Sequence, residues 1–465
     1  MAYSAYITTL KNVRPHPNAD RLLLADCFGN TVCVGLDYTE NEIGIYFPTD
    51  GQLSEEFATI NNLVRKKDDA GNNIGGYMDP AKRNVQAIRL RGQKSDGLFM
   101  RLSCLEYTGV NIADLKIGDP ITVVNGHEIC QKYIPRRNPS RTSERAGNKT
   151  RKKKVAVAPL FAEHADTEQL AYNLGAFKSG DQVEITLKMH GTSQRTGYLP
   201  VFKGFKRTLL DKIFRHEGTP IYDWGYVSGT RRTVLENYDG GYYGSNEFRE
   251  EHSKVFEGKL WKGETVYYEV VGFTTDGSSI MGKCNNKKLN DKEFIKTYGD
   301  TTVFSYGCSP DGKKTVWGKD EIGVYSLDVD IPQSDLYVYR MTMTNEDGNV
   351  IEYAPDFMRY RCEMIGVKTV PVFWNGFIPE YPASKIDDTI SAGEWIKNRA
   401  ERYYEGPDPI GKTHVREGVV VRIINRAKFT AYKHKNFEFK VLEGIIKDTA
   451  EAPDMEEAES VQETV

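Results

Sequence analysis

A chain of 465 residues exceeds one ordinary hydrophobic core, so two or three domains are expected. Apolar residues make up 39% and aromatics 11%, enough for globular cores, while 27% are charged and the formal net charge is −3. That balance excludes a uniformly basic nucleic-acid binder, so any such contact needs a local cationic patch. Seven scattered cysteines with no CxxC pair argue against a zinc site or a disulfide framework and fit a reducing cytoplasm. No stretch approaches the length of a membrane span, and the start lacks a basic region followed by an apolar one. The expectation is a soluble cytoplasmic protein with no membrane partner.

Residues 1–130 carry short β-type runs broken by turn signals: Tyr6–Leu10, Leu22–Phe28, Thr31–Gly35, Ile43–Phe47, Val85–Leu90 and Gly97–Met100. Such spacing predicts a small antiparallel barrel. His16-Pro17-Asn18-Ala19-Asp20-Arg21-Leu22 resembles the opening of the tRNA-binding OB module appended to some tRNA synthetases; read locally, Pro17 and Asn18 make a turn before a strand. Asn62 to Arg83 is polar, with two glycine-rich turns, and reads as a mobile loop within this domain.

Residues 131–154 mark a boundary. They hold ten Lys or Arg against one acid, Glu144, and read as a solvated linker able to track phosphates. Residues 155–446 form a long mixed region with helical spacing around Glu247–Phe256 and Ile390–Tyr404. Residues 447–465 hold seven acids and one lysine, an acidic tail expected to be disordered.

The long region is organised around Lys188-Met189-His190-Gly191-Thr192-Ser193. Val183, Ile185 and Leu187 alternate with polar residues before it, so a half-buried strand delivers Lys188 to a small-residue turn. There its amine can attack a nucleoside triphosphate, or simply stand at a strand end. Four further constellations follow in order. Arg231 and Arg232 come after a small-residue turn and suit phosphate or ribose. Glu269 sits within the apolar run Val266–Gly272, where it needs a salt bridge, a ribose hydroxyl or a cation. Tyr337 and Tyr339 share a face of the next strand, as core or as a stacking surface for a purine. Glu417 opens Gly418–Ile423, and Lys433 and Lys435 point to one side of the last strand, repelling each other unless an anion intervenes.

This order of Lys-x-His-Gly, Arg-Arg, strand-borne Glu, aromatic strand, Glu-Gly-Val-Val-Val-Arg and Lys-x-Lys resembles the covalent nucleotidyltransferases, the polynucleotide ligases and mRNA capping enzymes. His190, where many of them carry Asp, together with Asn436 and Phe437, is similar to the RNA ligase branch. An OB-like module placed first resembles RNA ligase family 5. The resemblance implies an α+β chain: an N-terminal OB-like β-barrel, then a ligase-type nucleotidyltransferase domain of antiparallel sheets flanked by helices. It implies Lys188 as the adenylated nucleophile, with His190 and Gly191 in its turn. Arg231 or Arg232 would contact the AMP phosphate or ribose, Glu269 the ribose, and Tyr339 the adenine. Glu417 would bind Mg²⁺ or Mn²⁺, and Lys433 and Lys435 the phosphates of ATP. Leu187 and Arg340 depart from residues that relatives place near the base.

A free lysine titrates near about 10.4 and attacks only when neutral, which neighbouring cations would favour. The implied activity joins 3′-hydroxyl and 5′-phosphate ends of RNA; nicked duplexes, broken RNAs and an RNA–DNA hybrid are all compatible substrates. The alternatives are an RNA-binding protein with an inactive transferase domain, a DNA ligase, or a capping guanylyltransferase. The last two place an OB domain after Lys-x-Lys, where here only 30 residues follow Lys435.

Overall fold

A computed structural model describes residues 3–71, 73–134, 155–208, 218–235, 246–319, 324–379 and 390–449. Most of the basic stretch 131–154 and of the acidic tail lies outside those residues. The chain divides into two compact units, one of Met1–Arg137 with Lys435–Glu451, the other of the residues between them.

In the first unit, strands β1 (Ala5–Thr9), β2 (Lys11–Pro15), β3 (Leu23–Cys27), β4 (Asn30–Val34) and β5 (Ile43–Phe47) follow the alternation of the sequence. They do not form one closed barrel. β5 and β1 lie at the centre of a four-stranded antiparallel sheet between Leu98–Arg101 and Pro120–Ile121, while β2, β3 and β4 make a separate three-stranded sheet. β1 and β2 part at Leu10, and within β2 Asn12 has φ of 51° where the register against β3 shifts. Ile7, Ile45, Phe47, Leu53, Phe57, Leu105 and Ile129 fill the core. The polar stretch 62–83, expected to be a plain loop, carries a short ribbon of Lys66–Lys67 with Asn73–Gly75, and Met78 reaches the core.

The helix Phe437–Thr449 belongs to this same unit. Arg89 pairs with Glu438, Lys440 with Asp96, and both Arg89 and Lys94 lie over the Phe437 ring. The last helix thus packs on the hairpin of Ala87–Leu90 and Gln93–Asp96.

The second unit is two sheets. One takes β6 (Glu168–Gln169), β7 (Gln182–Lys188), β8 (Val372–Phe377), β9 (Gly418–Ile423) and β10 (Thr430–Lys435), in the order β6-β10-β9-β7-β8. Val183, Ile185, Leu187, Val419 and Val421 are buried. All but Leu187 join one core cluster, against which Trp395 packs from the helix Ala392–Ala400. Ser391 and Glu394 start that helix with a capping box. The other sheet is built on three long antiparallel strands, Thr192–Lys206, Glu264–Gly272 and Ser334–Thr344, joined edgewise by Thr219–Gly229. Helices Glu247–Lys254 and Pro355–Ile365 supply Phe248, Met358 and Cys362 to its core. The helical expectations at 247–256 and 390–404 are met at 247–254 and 392–400. No described helix is long and apolar enough to cross a membrane.

Candidate functional site

Strand β7 alternates strictly. Val183 and Ile185 face the core, so Glu184, Thr186 and Lys188 face the other way. On β9 the same rule turns Val420 and Arg422 to that side. These five residues line one pocket, met from the other sheet by Glu269 and Tyr339. With the open solvent at its mouth included, the pocket spans about 820 Å³.

Lys188 ends β7 half-buried, with Nζ 2.8 Å from Oε1 of Glu417, whose side chain is only 2% exposed. The His190 ring lies 3.8 Å from the other carboxylate oxygen. The next turn is held from two sides. The His190 amide donates to the Tyr306 hydroxyl at 2.7 Å, and the Gly191 amide donates to Glu269 Oε1 at 3.2 Å. Only glycine fits at 191, because a Cβ would stand 2.4 Å from the Val270 carbonyl oxygen. Glu269 therefore has its reason within an apolar strand: it faces the pocket and accepts the Gly191 amide of the turn after Lys188.

Tyr339 sits where the register slips. Tyr267 faces Arg340 and Tyr268 faces Val338, which leaves Tyr339 as the extra residue of a bulge. Bulges re-aim side chains, and here the ring enters the pocket. Its hydroxyl bonds Ser193 Oγ at 2.9 Å, and its ring meets the His164 edge at 5.0 Å. Arg231 lines the pocket and is held 2.6 Å from Asp166; Arg232 pairs with the same carboxylate at 3.0 Å and is not in the lining. Lys433 pairs in the sheet with Gln169 of β6. Lys435 Nζ lies 2.8 Å from Glu443, so a side-chain carboxylate already supplies the anion that the paired lysines demanded.

Several pocket residues carry no local sequence signal. His164 packs against Tyr339, Tyr267 and Phe429. Burial, with Arg231 and Arg340 nearby, holds its pKa well below the usual value, so the ring is neutral. The guanidinium of Arg340 donates to Nδ1 at 3.2 Å, which leaves the imidazole proton on Nε2. Arg340 itself pairs with Glu352 and lies over the Tyr267 and Phe429 rings. The departure seen at 340 is thus a buried support beneath the pocket wall formed by Tyr339, His164 and Phe429. At the far end Arg359 bonds Glu184 at 2.8 Å. Glu184 and Thr186 were readable from the two-residue period that places Lys188; His164 and Phe429 were not.

No family model matches the sequence, and no curated protein does. Among solved structures, the fold matches that of Naegleria gruberi RNA ligase. A mutant of that enzyme with ATP and manganese superposes at a TM-score of 0.51 and 14% identity, over 95% of this chain and 98% of that one. A mutant with AMP and manganese gives 0.52 and 14%, over 94% and 97%. The same ligase with pyrophosphate gives 0.51 and 14%, again over 94% and 97%. At this identity the likeness is one of fold.

Proposed function

We propose that a chain with this fold is an ATP-dependent RNA ligase that joins 3′-hydroxyl and 5′-phosphate ends through AMP bound to Lys188. The observation that supports it most is the Lys188 amine at the end of β7, paired with Glu417 beside a pocket lined from both sheets. In the reaction the neutral amine attacks the α-phosphorus of ATP; an N–P bond forms and pyrophosphate leaves with the P–O bond electrons. AMP then passes to the 5′-phosphate of the RNA, and the 3′-hydroxyl displaces it to seal the strand.

Attack needs a free electron pair on Nζ, so the ion pair with Glu417 must open as ATP enters. Tyr339 and Val420 supply apolar faces for the adenine, and His164 Nε2–H a donor at its side. Glu269 reaches the ribose while keeping the Gly191 amide. Arg231, Lys433 and Lys435 serve the phosphates, with Arg232 steadying Asp166. Glu417 offers hard oxygen donors, and no group of three His, Cys, Asp or Glu among the described residues could hold a metal. That donor set fits Mg²⁺ or Mn²⁺ carried mostly by phosphate oxygens and water. Such a cation would neutralise charge on the triphosphate. The first unit, read as an OB-like module, and the basic stretch after it would hold the strand bearing the 3′-hydroxyl, with nicked duplex RNA as the favoured substrate.

Incubation with α-labelled ATP and a denaturing gel tests this. The wild-type chain should carry label, and Lys188→Ala should carry none. Lys188→Arg should also fail, since a guanidinium stays protonated. Labelling from GTP instead would indicate capping chemistry, and no label at all would indicate a binding protein.

A further inference from the structure

Behind the turn that follows Lys188 lies a segment that the proposed chemistry does not use, Phe304-Ser305-Tyr306. Tyr306 is buried and has φ of 48°, in the left-handed region that a bulky side chain rarely adopts. Such backbone persists only where its surroundings impose it. On one side the Tyr306 hydroxyl accepts the His190 amide at 2.7 Å, and the Phe304 ring stands edge-on to the His190 imidazole, centroids 4.5 Å apart. On the other side lies the loop 406–416 that leads into Glu417. His414 packs edge-on to Tyr306 at 4.5 Å and to Phe304 at 5.2 Å, and Ser305 Oγ meets Thr413 Oγ1 at 3.1 Å. A Cβ on Gly411 would come within 2.6 Å of the Gly307 nitrogen, so the loop backbone is pressed against the turn after Tyr306. Asp408 locks that loop by accepting the Gly411 and Lys412 amides.

One short segment therefore touches the neighbours of both members of the Lys188–Glu417 pair. A core filler would need only its rings; this one also spends a hydroxyl on the backbone amide two residues after Lys188. We propose that Phe304–Tyr306 is a wedge that sets the spacing of Lys188 and Glu417, with Tyr306 a positioning residue for adenylylation. The inference rests on Lys188 being the nucleophile. It also gives His190 a role: the imidazole fills the slot between Phe304 and Glu417 and transmits the wedge to the turn.

The test uses the full chain and Tyr306→Phe, which keeps the ring and removes the acceptor. Enzyme–AMP formation is followed in single turnover against ATP concentration, with thermal melting alongside. The maximal rate should fall by about tenfold or more, as small misplacements of a reacting group do. The half-saturating ATP concentration should change little and the melting temperature should hold, a split that a merely structural role would not produce. Wild-type labelling with an equally fast Tyr306→Phe overturns the wedge alone. A wild-type chain that takes no label overturns the ligase reading, and the wedge with it. If Tyr306→Phe does not fold, Phe304→Leu decides: it keeps an apolar contact on His190 and leaves the hydroxyl in place. A slowed rate with unchanged melting then supports the wedge, and a normal rate overturns it.

Discussion

At the scale of single residues, charge placement controls both the site and its support. Arg340 has a nearly buried guanidinium against a nearly buried Glu352, with aromatic rings above it. Removing one partner of such a pair strands the other charge. Arg340→Ala should therefore cost about 3–5 kcal/mol of stability, read as a lowered midpoint in urea unfolding. It should also weaken ATP use, because His164 loses the donor that fixes its tautomer; an unchanged midpoint would show that Glu352 finds solvent instead. Glu417→Gln should lose enzyme–AMP formation while the chain still melts cooperatively, and normal labelling would remove Glu417 from the site.

Elements explain what the sequence disclosed and what it hid. Strand β7 was legible because its period of two sorts Val183, Ile185 and Leu187 from Glu184, Thr186 and Lys188 without any knowledge of neighbours. Tyr339 was legible as an aromatic on a strand, but its aim depends on a bulge, which is a property of two strands in register. His164 and Phe429 come from segments with no regular period, and only tertiary packing brings them to the pocket. The first unit shows the same limit. Its strands were readable, yet their partition into separate sheets is a matter of pairing that no single strand discloses. The final helix was invisible as a member of that unit, since nothing local links Lys440 to Asp96. That pair is nearly buried, with side chains 14% and 6% exposed. Lys440→Ala should destabilise the first unit by about 3 kcal/mol, seen as faster hydrogen exchange in β5 than in β7. Unchanged protection of β5 in Lys440→Ala would mean that the carboxylate is satisfied elsewhere.

For the whole molecule, three histidines with lowered pKa values set a common pH response. Burial lowers the pKa of His164, His252 and His414, that of His252 to about 4. In the unfolded chain each returns to about 6.5, so between the two values the unfolded state binds more protons. The stability contributed by these groups is therefore present above about pH 6.5 and lost as pH falls, for His252 by about 1 kcal/mol between roughly pH 7 and pH 5.5. Melting temperatures across that range should fall, and His252→Gln should flatten part of the slope. On the proposed function, RNA sealing should also respond to salt. The ten cations between Gln131 and Lys154 predict a steep loss of nick sealing with added salt. Changing Lys152, Lys153 and Lys154 to Gln should reduce that slope and leave enzyme–AMP formation intact, and an unchanged slope would mean that this stretch serves only as a tether.

The return of the last helix to the hairpin at residues 87–96 has a consequence during synthesis. A ribosome releases β1 to β5 early, and the partner of Asp96 only when Lys440 leaves the exit tunnel. Roughly 300 residues separate the last strand of the first unit, Cys130–Lys132, from Phe437, an interval of about 15–60 s at ordinary translation speeds. Throughout it the nascent unit holds an uncompensated carboxylate and a bare docking face, a natural target for chaperones. Chains stalled before Phe437 should thus be cut within residues 3–134 by a protease that spares the finished protein.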